Sequence, residues 1–196
     1  MTEFEHRLAN ARPKNHAQYL RVKGATLLGL EDEAALRVAV ALLHRVVDEH
    51  DDWLEVPWSH ELLGEAYRRL GQLDQAEHHY RMCLHKADES RNGTSNITEL
   101  FIAELLLEQS RADEALELLD DEDLLGRLTW NTDIYRYCVA RSRAERATGG
   151  EPASWAREAL RLAREDEPQL PHKPAIGRVH ATEADLTELR DVAAEP

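Results

Sequence analysis

Seven prolines and nine glycines in 196 residues leave long stretches with nothing to interrupt a helix. Alternating runs of Val, Ile and Thr are missing, which counts against a sheet. The only cysteines are Cys83 and Cys138, expected to stay reduced in the cytosol. Basic residues are outnumbered, 24 against 38 acidic, for a net charge of −14. That balance opposes binding to nucleic acid or to an anionic membrane surface, and it suits either plain solubility or a basic partner. No stretch reaches the roughly 18–20 apolar residues that span a bilayer. The opening Met1-Thr-Glu-Phe-Glu-His-Arg7 has no apolar run, so no signal peptide is expected and the cytoplasm is the expected compartment. There is no Gly-rich phosphate loop, no His-Glu-x-x-His and no Gly-x-Ser-x-Gly, so an enzyme is not expected.

What the chain does contain is Ala, Leu, Glu and Arg, all good helix formers. Residues 63–83 place Leu63, Gly64, Tyr67, Gly71, Ala76 and Tyr80 in a regular order. That order predicts a helix from about Ser59 to Leu70, a turn at Gly71, and a return helix from Asp74 to about Ala87. Gly64 and Ala76 let the two helices approach, with Leu63, Tyr67, Tyr80 and Leu84 between them. The spacing resembles the tetratricopeptide repeat family, most clearly over residues 57–90. The resemblance implies an all-α fold: an α-α superhelix, or solenoid, of antiparallel helix pairs with a C-terminal capping helix. It also implies a protein–protein interaction scaffold without cofactor.

The rest of the chain reads as degenerate copies within a single domain of about nine helices. Approximate hairpins cover 14–50, 57–90, 96–125 and 131–167, with a proline-containing linker at 168–180 and a last helix at 182–194. In the first hairpin Gly24 and Leu27 echo Gly64 and Tyr67, and Ala39, Leu43 and Val46 form an apolar stripe. In the third, Asn96-Ile-Thr-Glu99 reads as a capping box, and Ala103, Leu106 and Ala115 match Gly64, Tyr67 and Ala76. The spacing from Ala76 to Ala115 exceeds the usual period of about 34, and the surplus falls in the turn-forming run at 88–95. The acidic Asp120-Asp-Glu-Asp123 sits where apolar residues are expected, so that helix ends early or breaks. The sequons at Asn92 and Asn96 read as a turn and a helix cap. Gly149-Gly150-Glu-Pro152 makes the fourth turn, and Thr182-Glu-Ala-Asp185 caps the last helix.

Glu61, Glu65, Arg68 and Arg69 share one helix face, and Leu100, Glu104, Leu107 and Glu108 repeat the arrangement. The resemblance implies that this face lines a concave groove, with Trp58 at its rim. An acidic groove with apolar footing suits a basic, amphipathic peptide or helix of another protein. A clamp for a partner's C-terminal carboxylate is not expected, because Glu61 and Glu65 intrude. The alternative function is a self-associating, homodimeric regulatory subunit acting with a separate effector. No metal site is expected. His78, His79, Cys83 and His85 point in different directions on one helix, and zinc needs three or four converging ligands. The acidic turn Asp48-Glu-His-Asp-Asp52 is likewise not expected to hold a cation.

Overall fold

The computed structural model describes residues 3–30, 32–86 and 94–195. Among them it is 72% helix with no strand, in eleven α-helices that pack against each other. The chain divides into two compact units, one running through Thr98 and the other from Glu99.

The first unit begins with α1 (Glu3–Ala9) and a 3-10 turn at Pro13–Asn15, then α2 (His16–Leu28) and α3 (Glu33–Glu49). It continues with α4 (Glu55–Arg69) and α5 (Leu73–Lys86). Asp32 starts α3 by accepting the Ala35 amide at 2.8 Å. The predicted stripe Ala39, Leu43 and Val46 is fully buried. Leu43 joins Leu28, Leu36, Ala39, Leu63 and Ala66 in one core cluster, while Val46 joins Leu8, Ala17, Leu20, Leu42 and Val56 in another. A Cβ added to Gly24 would lie 2.8 Å from Leu43 Cγ, and one on Gly64 the same distance from Tyr80 Cγ. Both helix pairs therefore close on a glycine, where any larger residue would collide with the facing side chain.

Helix α4 starts four residues before the predicted Ser59. Asp52 accepts the Leu54 and Glu55 amides at 3.0 and 2.9 Å, so the last residue of the acidic turn caps a helix. Pro57 falls inside the first turn, where its missing N–H has no intrahelical partner to lose. Gly71, at φ 72°, ends the α4 segment; Gln72 N donates to Tyr67 O at 2.9 Å and Gly71 N to Arg68 O at 3.0 Å. This is the Schellman turn, which satisfies the last carbonyls of the helix.

The second unit holds nearly all of α6 (Thr98–Glu108), then α7 (Ala112–Leu119), α8 (Glu122–Arg127), α9 (Asn131–Thr148), α10 (Ala153–Ala163) and α11 (Glu183–Ala193). Helix α9 packs on α7 and α10, and α10 packs on α11. The expected break at 120–123 is present: α7 stops at Leu119, and Asp121 accepts the Asp123 amide to start α8. Helices α1 and α8 raise the predicted nine to eleven. Gly149, at φ 82°, closes α9 with Gly150 N donating to Glu145 O at 2.8 Å. Ser110 does the same after α6 at φ 60°, with Arg111 N donating to Leu106 O at 2.8 Å. Thr182 caps α11 as expected, accepting from the Asp185 amide.

One cap is corrected. Helix α6 begins at Thr98, and Asn96 lies two residues ahead in the left-handed region at φ 66°. Asparagine tolerates that conformation, so Asn96 turns the chain ahead of the helix, where a capping residue would be extended. The turn expected at 88–95 lies outside the described residues except for Thr94 and Ser95, as does the sequon asparagine Asn92.

Candidate functional site

The residues expected on a partner-binding face have varied surroundings, each described within its own unit. Glu61 is 7% exposed. Its carboxylate accepts from Ser95 N at 3.0 Å, Ser95 Oγ at 2.9 Å and Thr98 Oγ1 at 2.7 Å. It fastens the segment at 95–98 to α4, and four hydrogen-bonding lone-pair sites are largely used in doing so. Arg69 donates to the carbonyls of Leu28 and Leu30, closing the end of α2. Trp58 is half-buried with the Arg21 guanidinium 3.6 Å above its ring, and Arg21 pairs with buried Glu55. Glu65 is exposed, with Tyr80 OH 3.5 Å away, and Arg68 is half-buried.

In the second unit Leu100 is fully buried. The expected apolar footing at that position is corrected: Leu100 has no surface for a partner to cover. Glu104 accepts two hydrogen bonds from Arg136, at 2.7 and 2.8 Å. Its charge is neutralised by a bidentate fork. Leu107 is half-buried and Glu108 exposed. Glu65, Leu107 and Glu108 thus keep the accessibility that the sequence reading requires, while Glu61 and Leu100 do not.

The sequence reading missed a cluster of rings in the first unit. His44 of α3, His60 and Tyr67 of α4, and His79 of α5 meet there. His60 Nδ1 lies 3.0 Å from His79 Nδ1. His44 Nε2 and Tyr67 OH share a 2.8 Å hydrogen bond, and the Tyr67 ring stacks on His79 at 5.3 Å. Two facing imidazole nitrogens can bond only if one carries a proton and the other does not. Burial, reinforced by the neighbouring imidazoles, pushes His60 down to about 4 and His79 down to about 3. The pair is therefore neutral at neutral pH. The signal for it was present: Ala76, His79, Tyr80 and Cys83 recur at i, i+3, i+4 and i+7, and all four are buried.

No group of three or more His, Cys, Asp or Glu among the described residues could hold a metal ion. Burial pushes the Cys138 thiol up to about 12, so it stays protonated and un-nucleophilic at neutral pH. Cys83 is buried with Thr98 Oγ1 3.7 Å away. No described helix is long and apolar enough to cross a membrane.

A groove of about 650 Å³ runs between α1 and α2, lined by Phe4, Leu8, Tyr19 and Val22, with Arg7 and Lys23 at its edges. Tyr19 and Val22 are 44% and 46% exposed. Compared with known protein families, curated proteins and solved structures, the chain gives no match.

Proposed function

We propose that this chain is a protein–protein interaction module of the tetratricopeptide kind, without cofactor and non-enzymatic, that holds a peptide or helix of a partner. In this reading the hairpins stack as a solenoid in the cytoplasm, and the first-helix face meets the partner. The observation that carries it is the α4–α5 hairpin. There Leu63 and Ala76 are fully buried, Gly64 abuts Tyr80, and Gly71 makes the left-handed turn. The close glycine–ring contact and the left-handed turn support this reading. Such units bury their faces on neighbours and leave side chains, not a catalytic pocket, for recognition.

The accessible members of the expected face are Glu65, Leu107 and Glu108, with Arg68 and Trp58 half-buried beside the first. A basic amphipathic segment complements them, because charge steers the encounter while apolar burial holds the complex. Affinity capture with the intact chain should return one stoichiometric partner. Glu65→Lys combined with Glu108→Lys should weaken that capture, most at low salt. Undiminished capture by the double variant removes this face from the reading. Sedimentation of the chain alone at several concentrations tests the alternative, a self-associating regulatory subunit. A concentration-dependent dimer that excludes the captured partner would favour it.

A further inference from the structure

The first unit carries a second surface whose chemistry is the reverse of the acidic face. Residues 6–30 contain no Asp or Glu in a chain that has 38 of them. The same stretch holds Arg7, Arg12, Lys14, Arg21 and Lys23. Arg21 is spent on Glu55, and Arg7 pairs with Glu3 at the surface. No ion pair involves Arg12, Lys14 or Lys23 among the described residues. Lys23 edges the groove between α1 and α2, while Arg12 and Lys14 lie on the connection that joins the two helices.

Phe4 and Leu8 of α1 and Tyr19 and Val22 of α2 give the groove its apolar lining. Tyr19, Val22, Lys23 and Thr26 fall at i, i+3, i+4 and i+7, so they form one stripe along α2. Tyr19 and Val22 are exposed, while Leu20 and Gly24 on the opposite side of α2 are buried. An apolar lining that also holds Lys23, a cation in no ion pair among the described residues, is the complement of a helix that has leucines on one face and carboxylates beside them.

We propose that the α1–α2 groove is a docking site for an acidic amphipathic helix of another protein. The apolar face of that helix covers Phe4, Tyr19 and Val22. Its carboxylates meet Lys23, which the groove lining holds without an ion pair among the described residues. This surface goes beyond the acidic face of the proposed module, and the two take partners of opposite charge.

The test uses the whole chain and two labelled designed peptides of about 18 residues, long enough for a marginal helix to form on binding. Both carry leucines at helical spacing. One has glutamates on the flanks, the other lysines. Fluorescence anisotropy should show saturable binding of the acidic peptide, roughly tenfold or more tighter than of any lysine peptide bound at this groove. Raising salt from about 0.05 to about 0.5 M should weaken it roughly tenfold, since the charge pairs are exposed. Val22→Glu and Lys23→Glu should each lower affinity about tenfold or more. Val38→Glu, at an exposed valine of α3 outside the groove, should leave it unchanged. Helical circular dichroism and melting temperatures within about 3 °C of the parent confirm that the variants fold.

Absence of saturable binding overturns the proposal. So does acidic-peptide binding that Val22→Glu and Lys23→Glu leave intact. A dimer of the chain that Val22→Glu dissolves overturns it in favour of a second copy as occupant. Binding of the lysine peptide that persists in Val22→Glu belongs to the acidic face. If acidic-peptide binding fails while that binding persists, the groove fails and the proposed module stands.

Discussion

The α4–α5 hairpin and the α9–α10 hairpin reach the same geometry from different chemistry. In the first, a glycine meets an aromatic ring: Gly64 leaves the space that Tyr80 fills, and the buried polar groups include the neutral pair His60 and His79 beside Glu55, paired with Arg21, and Glu61, bonded by Ser95 and Thr98. In the second no glycine faces a ring: Ala140, Ala144, Ala156 and Ala159 are buried, and the buried Tyr137 packs edge-on to Trp155. Its ion pairs lie nearer the surface, while the buried Ser142 hydroxyl donates to Pro152 O at 3.4 Å. Arg141 pairs with Asp120 and with Glu145 and sits over Trp155, and Arg143 pairs with Asp185 and Glu188 of α11. Both hairpins turn on a glycine with positive φ, Gly71 and Gly149. A helix pair can close by a deep notch and one large plug, or by a row of small residues with ionic edges. Only the first leaves a spaced signature in the sequence.

The largest effect should come from removing the plug. Tyr80→Ala should cost on the order of 3–5 kcal/mol, since a fully buried ring leaves both lost burial and a cavity. Gly64→Leu should cost about 1–3 kcal/mol or more by overpacking against the same ring. Gly24→Ala should cost less than Gly64→Ala, because Leu43 can change rotamer where a ring cannot move as readily. Urea denaturation followed by circular dichroism measures all four. Equal midpoints for Gly24→Ala and Gly64→Ala would erase the distinction between a notch facing a ring and one facing a flexible chain.

Acid should separate the two units next. Eight of the ten histidines lie in the first unit, and the second has only His172 and His180, both exposed. Burial holds His60 and His79 below their usual value near 6.5, to about 4 and about 3. A histidine that is harder to protonate when folded takes up fewer protons than the unfolded chain below pH 6.5. Stability is therefore complete above about pH 6.5 and falls as pH drops toward the folded values. The groups that face the pair are His44 and Asp48 of α3, Tyr67 of α4, and His78 and Lys86 of α5. Asp48 alone opposes the loss. Asp185 and Glu158 of the second unit are held below the usual carboxylate range, by Thr182 and by Arg161 respectively, so their contribution is lost only at still lower pH. Between pH 7 and 4.5 the first unit should lose roughly 1–3 kcal/mol and the second much less. Amide hydrogen exchange at both pH values reads each unit separately. A His79→Phe variant, which keeps the ring and removes the titration, should flatten the response. Equal loss in both units would show that the histidine pair does not set the acid limit.

How much of this was legible follows from the same contrast. The Leu63-Gly64-x-x-Tyr67 spacing announced α4–α5 because a glycine facing a ring can be substituted by little else. Gly71 and Gly149 announced their turns because positive φ favours glycine. Asp120–Asp123 announced a break because four adjacent carboxylates cannot face a core. The candidate site was harder to read. Glu61 and Glu65 are one helical turn apart and look alike in sequence, yet Glu61 is buried by hydrogen bonds from Ser95 and Thr98, residues more than thirty positions away. Leu100 was placed on a surface by analogy, and local spacing carries no record of which face a long-range neighbour covers. His79 was weighed as a metal ligand and His60 not at all, yet the two ring nitrogens satisfy each other in the interior.

The smallest effect tests the turns. The hairpin turn after α6 closes with the same six-residue bond as the other two, Arg111 N to Leu106 O, but carries Ser110 at φ 60° where they carry glycine. A side chain in the left-handed region costs about 1 kcal/mol, and serine is not among the residues that offset it well. Ser110→Gly should therefore stabilise the second unit by about 0.5–1 kcal/mol. Part of the gain is cancelled because glycine also frees the unfolded chain. Gly71→Ala should destabilise the first unit by about 1 kcal/mol; its Cβ would meet nothing within 4 Å, so the cost is conformational alone. Opposite signs for these two substitutions would show that one backbone turn is held by three hairpins and that only its chemistry differs. A destabilising Ser110→Gly would mean that the serine at this turn contributes more than its conformation costs.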